Sequence, residues 1–240
     1  MVASSDYQLI QTITQSSKPL IDPVTNLLKI LAIALMTIDH VGLFLFPQTW
    51  ELRLIGRLSA PIFIYLIIQG LEHTSNTWRY FRRLVVLAII SQIIFVLSFN
   101  FPFFNIIWSF LGLIVLLRGP IWAKILLVPL FGLLEIEYGW LVLAAGTIYQ
   151  LVKNPKWQLF YLFLINTTFT WLNFWQNGAK NRFYLLQIGA FFGFVIVYFV
   201  NKYRQKILPI ACLNIRFARY FFYAYYPVHV AVLVFLSKIR

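Results

Sequence analysis

Residues Leu27 to Phe46 read LLKILAIALMTIDHVGLFLF. As a helix this apolar run is about 30 Å long, enough to cross a bilayer. It nevertheless carries Asp39 and His40 side by side, about 18 Å in from Leu27. An ionisable side chain at that depth costs at least about 2.5–3.5 kcal/mol on insertion scales, so it faces protein or water rather than lipid. The next run, LRLIGRLSAPIFIYLIIQG (Leu52 to Gly70), opens with Arg53 and Arg57 and is expected to bend at Pro61. These two stretches hold most of the chemistry in the chain.

Comparable apolar runs recur as far as Leu236, with no polar block long enough to fold alone. A chain that is 61% hydrophobic and 11% charged overrides the soluble-domain expectation set by its 240 residues. The expected fold is all-α, a polytopic transmembrane helix bundle of about nine spans. Residues 1–26 read as a polar arm and residues 27–240 as one membrane domain. The arm lacks a basic start followed by a short apolar core, so no cleavable signal is expected.

The formal charge of +13 invites a nucleic-acid partner, but 24 Phe and 8 Trp on apolar helices argue against one. The basic residues sit between apolar runs, where they orient a membrane protein. Alternate loops hold Arg79, Arg82 and Arg83, then Arg118 and Lys124, then Lys153 and Lys156, then Lys202 to Arg219. The opposite set holds Arg53, then Glu135 and Glu137, then Lys180 and Arg182. The N-terminus is therefore expected to be cytoplasmic. The single cysteine, Cys212, excludes an intramolecular disulfide and a cysteine-rich metal site.

Helix rise puts Asp39 and Arg57 at matching depths, so they read as a pair, either a reactive site or an ion pair locking two helices. Arg53 shares a face with Arg57 four residues on. Pro61 cannot donate to the Arg57 carbonyl, which frees that oxygen. His40 beside an acid suggests a general base, although neighbouring helical residues point about 100° apart. His73 reads as a surface or hinge residue, and His229 follows Pro227 near the start of the last run. The three histidines lack metal-ligand spacing, so no metal is expected. Arg79, Arg82 and Arg83 form a cationic cluster that suits phosphates as well as positive-inside anchoring. Glu137 is a candidate for the outer mouth.

The stretches MTIDHVG (Met36 to Gly42), LRLIGRLSAPIFIYLIIQGLEHT (Leu52 to Thr74), RYFRRLVVLAIISQI (Arg79 to Ile93) and YAYYPVH (Tyr223 to His229) resemble the TraX family. Its namesake N-acetylates the terminal amine of conjugative pilin. The family is also distantly similar to membrane acyltransferases that acetylate surface sugars and lysosomal glucosaminide. That wider group shares an early-helix histidine, a PxFxF…G segment and a basic RxxR. Here His40, Pro61 to Gly70 and Arg79 to Arg82 match, with Tyr65 in place of the second Phe.

The resemblance implies a multi-pass bacterial inner-membrane acetyltransferase using acetyl-CoA. The acceptor would be an amine, such as a protein N-terminus, or a hydroxyl on a glycan. His40, Asp39 and Arg57 would be catalytic, Arg79, Arg82 and Arg83 would bind the donor, and Arg53, Glu137 and His229 would contact the acceptor. The alternative is a proton-coupled transporter or flippase in which Asp39, His40 and Arg57 form a relay.

Overall fold

The structure, a computed structural model, describes residues 23–99, 104–134, 136–176, 182–207 and 218–239. The expected arm up to residue 22, Glu135, Lys180, Cys212 and Arg216 lie outside the described residues. So do the side chains of Lys124, Arg182 and Arg219.

The helices are α1 (Pro23–Phe44), α2 (Trp50–Gly56), α3 (Ser59–His73), α4 (Thr77–Phe99), α5 (Ile106–Arg118) and α6 (Ile121–Leu133). They continue as α7 (Gly139–Leu151), α8 (Pro155–Gln176), a 3-10 helix (Arg182–Gly189), α9 (Ala190–Lys202), α10 (Arg204–Ile207) and α11 (Ala218–Ile239). The described residues contain no β-strand, only one parallel bridge between Phe104 and Ile136. Among them, four stretches are long and apolar enough to cross a membrane: Pro23–Phe44, Trp50–His73, Thr77–Leu97 and Leu185–Lys202. The protein is an all-α membrane helix bundle, as its apolar runs require.

Helix α1 is already formed ahead of the apolar run that begins at Leu27. Its described part begins at Pro23, four residues ahead of Leu27. The expected bend at Pro61 appears one turn upstream. The Leu58 N–H closes a short turn onto the Ile55 carbonyl at 3.2 Å, and α3 begins at Ser59. Pro61 thus lies in the first turn of α3, and the irregularity falls where its absent N–H would have been needed.

Packing follows membrane logic. The buried residues of α8 are Leu162, Asn166 and Thr170, each four apart on one face, while Trp157, Phe163, Trp171 and Trp175 point outward. Leu162 and two polar side chains therefore meet the bundle, while most of the large aromatics of α8 meet the surroundings. One buried cluster joins Leu28, Ala32 and Leu35 of α1 to Ile62 and Leu66 of α3 and Val197 of α9. A larger one is built from α3 to α9, around Ile64, Leu113, Leu143 and Phe194.

Side-chain ties gather the expected inner loops at one end. Arg118 Nη2 donates to the Leu71 carbonyl at 2.7 Å, and Arg204 Nη2 donates to Thr25 Oγ1 at 3.4 Å. At the opposite end a buried polar knot fixes the start of α5. Gln92 Oε1 accepts from Asn105 Nδ2 at 3.0 Å and from Trp108 Nε1 at 3.2 Å, while Asn105 Oδ1 caps α5 through the Ile107 N–H at 3.0 Å.

Candidate functional site

Gly56 sets the geometry. A Cβ placed there would overlap the Cα and Cβ of Asp39, so α2 lies flush against α1 at that point. Arg53, one turn earlier on α2, reaches Asp39 directly. Its Nη1 donates to Asp39 Oδ2 and, at 3.2 Å, to the Asp39 carbonyl. The two side chains are 14% and 13% exposed.

The expected Asp39–Arg57 pair is therefore corrected to Asp39–Arg53. Arg57 follows Gly56 and is rotated about 100° from the contact with α1. It turns instead toward the start of α7, where Nη1 donates to the Tyr138 hydroxyl at 2.6 Å. Asp39 Oδ1 and Arg57 Nε remain buried without a hydrogen-bond partner. Such groups are costly to leave unsatisfied, and both have hydrogen-bonding capacity left for a ligand or water.

His40 does not turn to its neighbouring carboxylate. Its Nδ1 lies 2.7 Å from Nε2 of His229 on α11, with the rings stacked at 4.9 Å. His229 Nδ1 lies 2.8 Å from the Tyr225 carbonyl, which can only accept. In a neutral pair the directions follow. His229 donates from Nδ1, its Nε2 accepts from His40 Nδ1–H, and the lone pair of His40 sits on Nε2. A second tie steadies α11 against α1: the Thr37 hydroxyl donates to the Ile33 carbonyl at 2.8 Å and accepts from the Tyr225 hydroxyl at 2.7 Å. The Tyr226 ring packs edge-on to both His40 and His229.

Two cavities meet at this cluster. The smaller, about 30 Å³, is lined by Asp39, His40, Ser59, Glu137, Tyr138 and Tyr226, among others. The larger, about 250 Å³, is mostly apolar and runs between α1, α3, α4, α5 and α11. Met36, Phe63, Ile106 and Tyr226 line both. At the other end of the larger cavity stand Lys29, Gly70 and Tyr80, near the expected inner face.

The other sequence candidates divide. Asp39, His40 and Glu137 line the small cavity, and Arg53, Arg57 and His229 bond to residues of that wall. Arg79, Arg82 and Arg83 are exposed on the first turns of α4 and form no part of either cavity wall. They flank Tyr80, which does line the large cavity. His73 is exposed at the end of α3, bonded to the Gln69 carbonyl at 2.8 Å. Lys29, Tyr138 and Tyr226 were not singled out by the sequence. Among the described residues, no three His, Cys, Asp or Glu side chains gather as a metal site would need.

Comparison with known proteins gives two partial relatives. The chain is 37% identical over 68 residues to the uncharacterized protein RP591 of Rickettsia prowazekii, covering 28% of this chain and 25% of that one. It is 36% identical over 69 residues to the probable fimbrial assembly protein FimC, serogroup H1, of Dichelobacter nodosus, covering 27% of this chain and 28% of that one. The matched segment thus spans about a quarter of the length of each relative. No solved structure matches. The family model described as TraX protein matches residues 24–237, so nearly the whole described bundle falls within it, and the chain belongs to the TraX family.

Proposed function

We propose that this protein is a multi-pass inner-membrane acetyltransferase that moves an acetyl group from acetyl-CoA to an amine or hydroxyl acceptor. The observation that carries the reading is the bare Nε2 of His40, fixed by the His229–Tyr225 chain at a small cavity that shares a wall with one of about 250 Å³. A general base needs its lone pair directed to one place, and this chain supplies that. Family membership and the fimbrial relative favour a protein terminus such as a pilin as acceptor.

The residues fit a CoA thioester in two respects. Lys29 at one end of the cavity, with Arg79, Arg82 and Arg83 near its Tyr80 wall, suits phosphate charges. The apolar walls between that end and His40 suit an uncharged, flexible arm. Acetyl-CoA supplies an activated acyl group. His40 Nε2 takes the proton that the acceptor gives up, and His229 supports the resulting imidazolium through the Nδ1–H bond. Asp39 Oδ1, buried and unpaired, accepts a hydrogen bond from the acceptor and aligns it, while Arg53 holds the other carboxylate oxygen.

A second reading, a proton-coupled transporter or flippase, draws on one observation. The α2–α3 irregularity packs against the first turn of α9, directly after the 3-10 helix, where a Cβ on Gly193 would overlap the Leu58 carbonyl. Transporters use such paired helix interruptions at their binding sites. Purified protein in lipid nanodiscs separates the two. Saturable CoA binding with label transfer from acetyl-CoA to membrane acceptors supports the enzyme. Gradient-driven uptake into vesicles, without CoA binding, overturns it.

A further inference from the structure

The geometry points to Tyr138 as a catalytic residue: its hydroxyl donates to the thioester carbonyl oxygen, and Arg57 holds and polarises that hydroxyl from behind. This assignment rests on the acetyl-transfer reading above and names the group that receives the charge His40 creates. Three observations meet at Tyr138.

The first is hydrogen-bond direction. Arg57 Nη1 lies 2.6 Å from Tyr138 Oη, and a guanidinium can only donate. The tyrosine oxygen is therefore the acceptor, and its own hydrogen is directed elsewhere. Tyr138 makes no other hydrogen bond through its hydroxyl among the described residues, and it lines the small cavity together with His40.

The second is the backbone. Tyr138 has φ 58° and ψ 9°, the one non-glycine residue with positive φ among the described residues. A bulky side chain in that region is strained, and strain of about 1–3 kcal/mol persists only where the surroundings over-determine it. They do so here. The Glu137 N–H donates to the Phe104 carbonyl at 2.9 Å, Ser109 Oγ donates to the Glu137 carbonyl at 2.7 Å, and the Gly139 N–H donates to the Ile136 carbonyl at 3.0 Å. The Tyr138 ring then stacks on Phe169 at 6.3 Å and 12°.

The third is the charge behind it. Arg57 is committed to Tyr138, with its Cζ 5.7 Å from the ring centroid, and its Nε is buried and unpaired. A charge-assisted bond to the phenol oxygen makes the phenol a stronger donor.

The step balances. The acceptor nitrogen or oxygen bonds to the carbonyl carbon, His40 Nε2 takes its proton, and the carbonyl π pair moves onto oxygen, where Tyr138 O–H donates. When the C=O re-forms, the C–S bond breaks and the His40 imidazolium returns the proton to sulfur. Arg57 acts through Tyr138 and is a positioning residue.

The test uses full-length protein in nanodiscs and a dethia analogue of acetyl-CoA, a ketone with methylene in place of sulfur, isotope-labelled at the carbonyl carbon. Infrared difference spectra of the bound ketone report the hydrogen bond without turnover. Tyr138→Phe keeps the Phe169 stack and is expected to move the C=O stretch to higher frequency. It also lowers kcat on the order of 10²–10³-fold with the KM for acetyl-CoA unchanged, the size of losing one oxyanion donor. Arg57→Lys is expected to give an intermediate frequency. A Tyr138→Phe protein with the wild-type frequency and kcat overturns the assignment while leaving the donor reading intact. Failure of wild-type protein to bind the analogue overturns both. If Tyr138→Phe does not fold, difluorotyrosine at position 138 keeps the ring and sharpens the donor. It should lower the frequency further, and an unmoved band overturns the assignment.

Discussion

His40 and His229 are separated by 189 positions and meet through a 2.7 Å Nδ1···Nε2 hydrogen bond. Helices α1 and α11 are thereby joined at the point where the two cavities adjoin. The contact fixes which His40 nitrogen is bare, so a residue that lines neither cavity still governs the base. His229→Gln can present an amide oxygen to His40 Nδ1–H, whereas His229→Leu cannot. We expect the Gln variant to retain most of its turnover and the Leu variant to lose on the order of 10²-fold in kcat. Equal loss in both, at equal thermal stability, would remove the positioning role of His229.

Gly56 is predicted to be intolerant of any side chain, because its α-hydrogen side abuts the Asp39 backbone. Gly56→Ala should force α1 and α2 apart and cost about 1–3 kcal/mol, the usual range for overpacking. Thermal unfolding in detergent, read beside ligand-free tryptophan fluorescence, checks it. An unchanged midpoint would mean that these helices do not touch at Gly56.

The Asp39–Arg53 pair makes a separate demand. Arg53→Met leaves a buried carboxylate uncompensated and should cost about 3–5 kcal/mol. Combining it with Asp39→Asn should recover much of that loss. A double-mutant cycle between Asp39 and Arg53 is expected to show strong coupling, and one between Asp39 and Arg57 weak coupling. The reverse ranking would restore the pairing suggested by helix depth.

Arg82→Gln combined with Arg83→Gln should weaken CoA binding with little change in kcat. Both side chains are exposed, so the effect should be greater at low salt. Isothermal titration at two ionic strengths reads it directly. Unchanged affinity would reduce the cluster to a topology signal, leaving Lys29 as the charged group lining the cavity.

The all-α membrane bundle was legible because long apolar runs decide it, and Asp39 and His40 stood out because a charge inside such a run needs a reason. Their partners were not legible. Depth matched Asp39 to Arg57, and the choice of Arg53 depends on Gly56 turning one face of α2 onto α1. The His40–His229 contact depends on α11 folding back beside α1, which no local pattern encodes. Tyr138 was hidden among 13 tyrosines. Its left-handed backbone is held by Phe104 and Ser109, from α5 and the residues that lead into it, together with Ile136 in its own turn. The only trace in the sequence was the Glu137-Tyr138-Gly139 turn between two short apolar runs.

The most direct test is His40→Ala. Label transfer from acetyl-CoA to total membrane acceptors is measured with the purified variant in nanodiscs, alongside CoA binding and thermal midpoint. We expect transfer to fall by roughly 10²–10⁴-fold, the contribution of a positioned general base, with CoA affinity and insertion retained. A well-folded His40→Ala protein with full transfer activity would contradict the account.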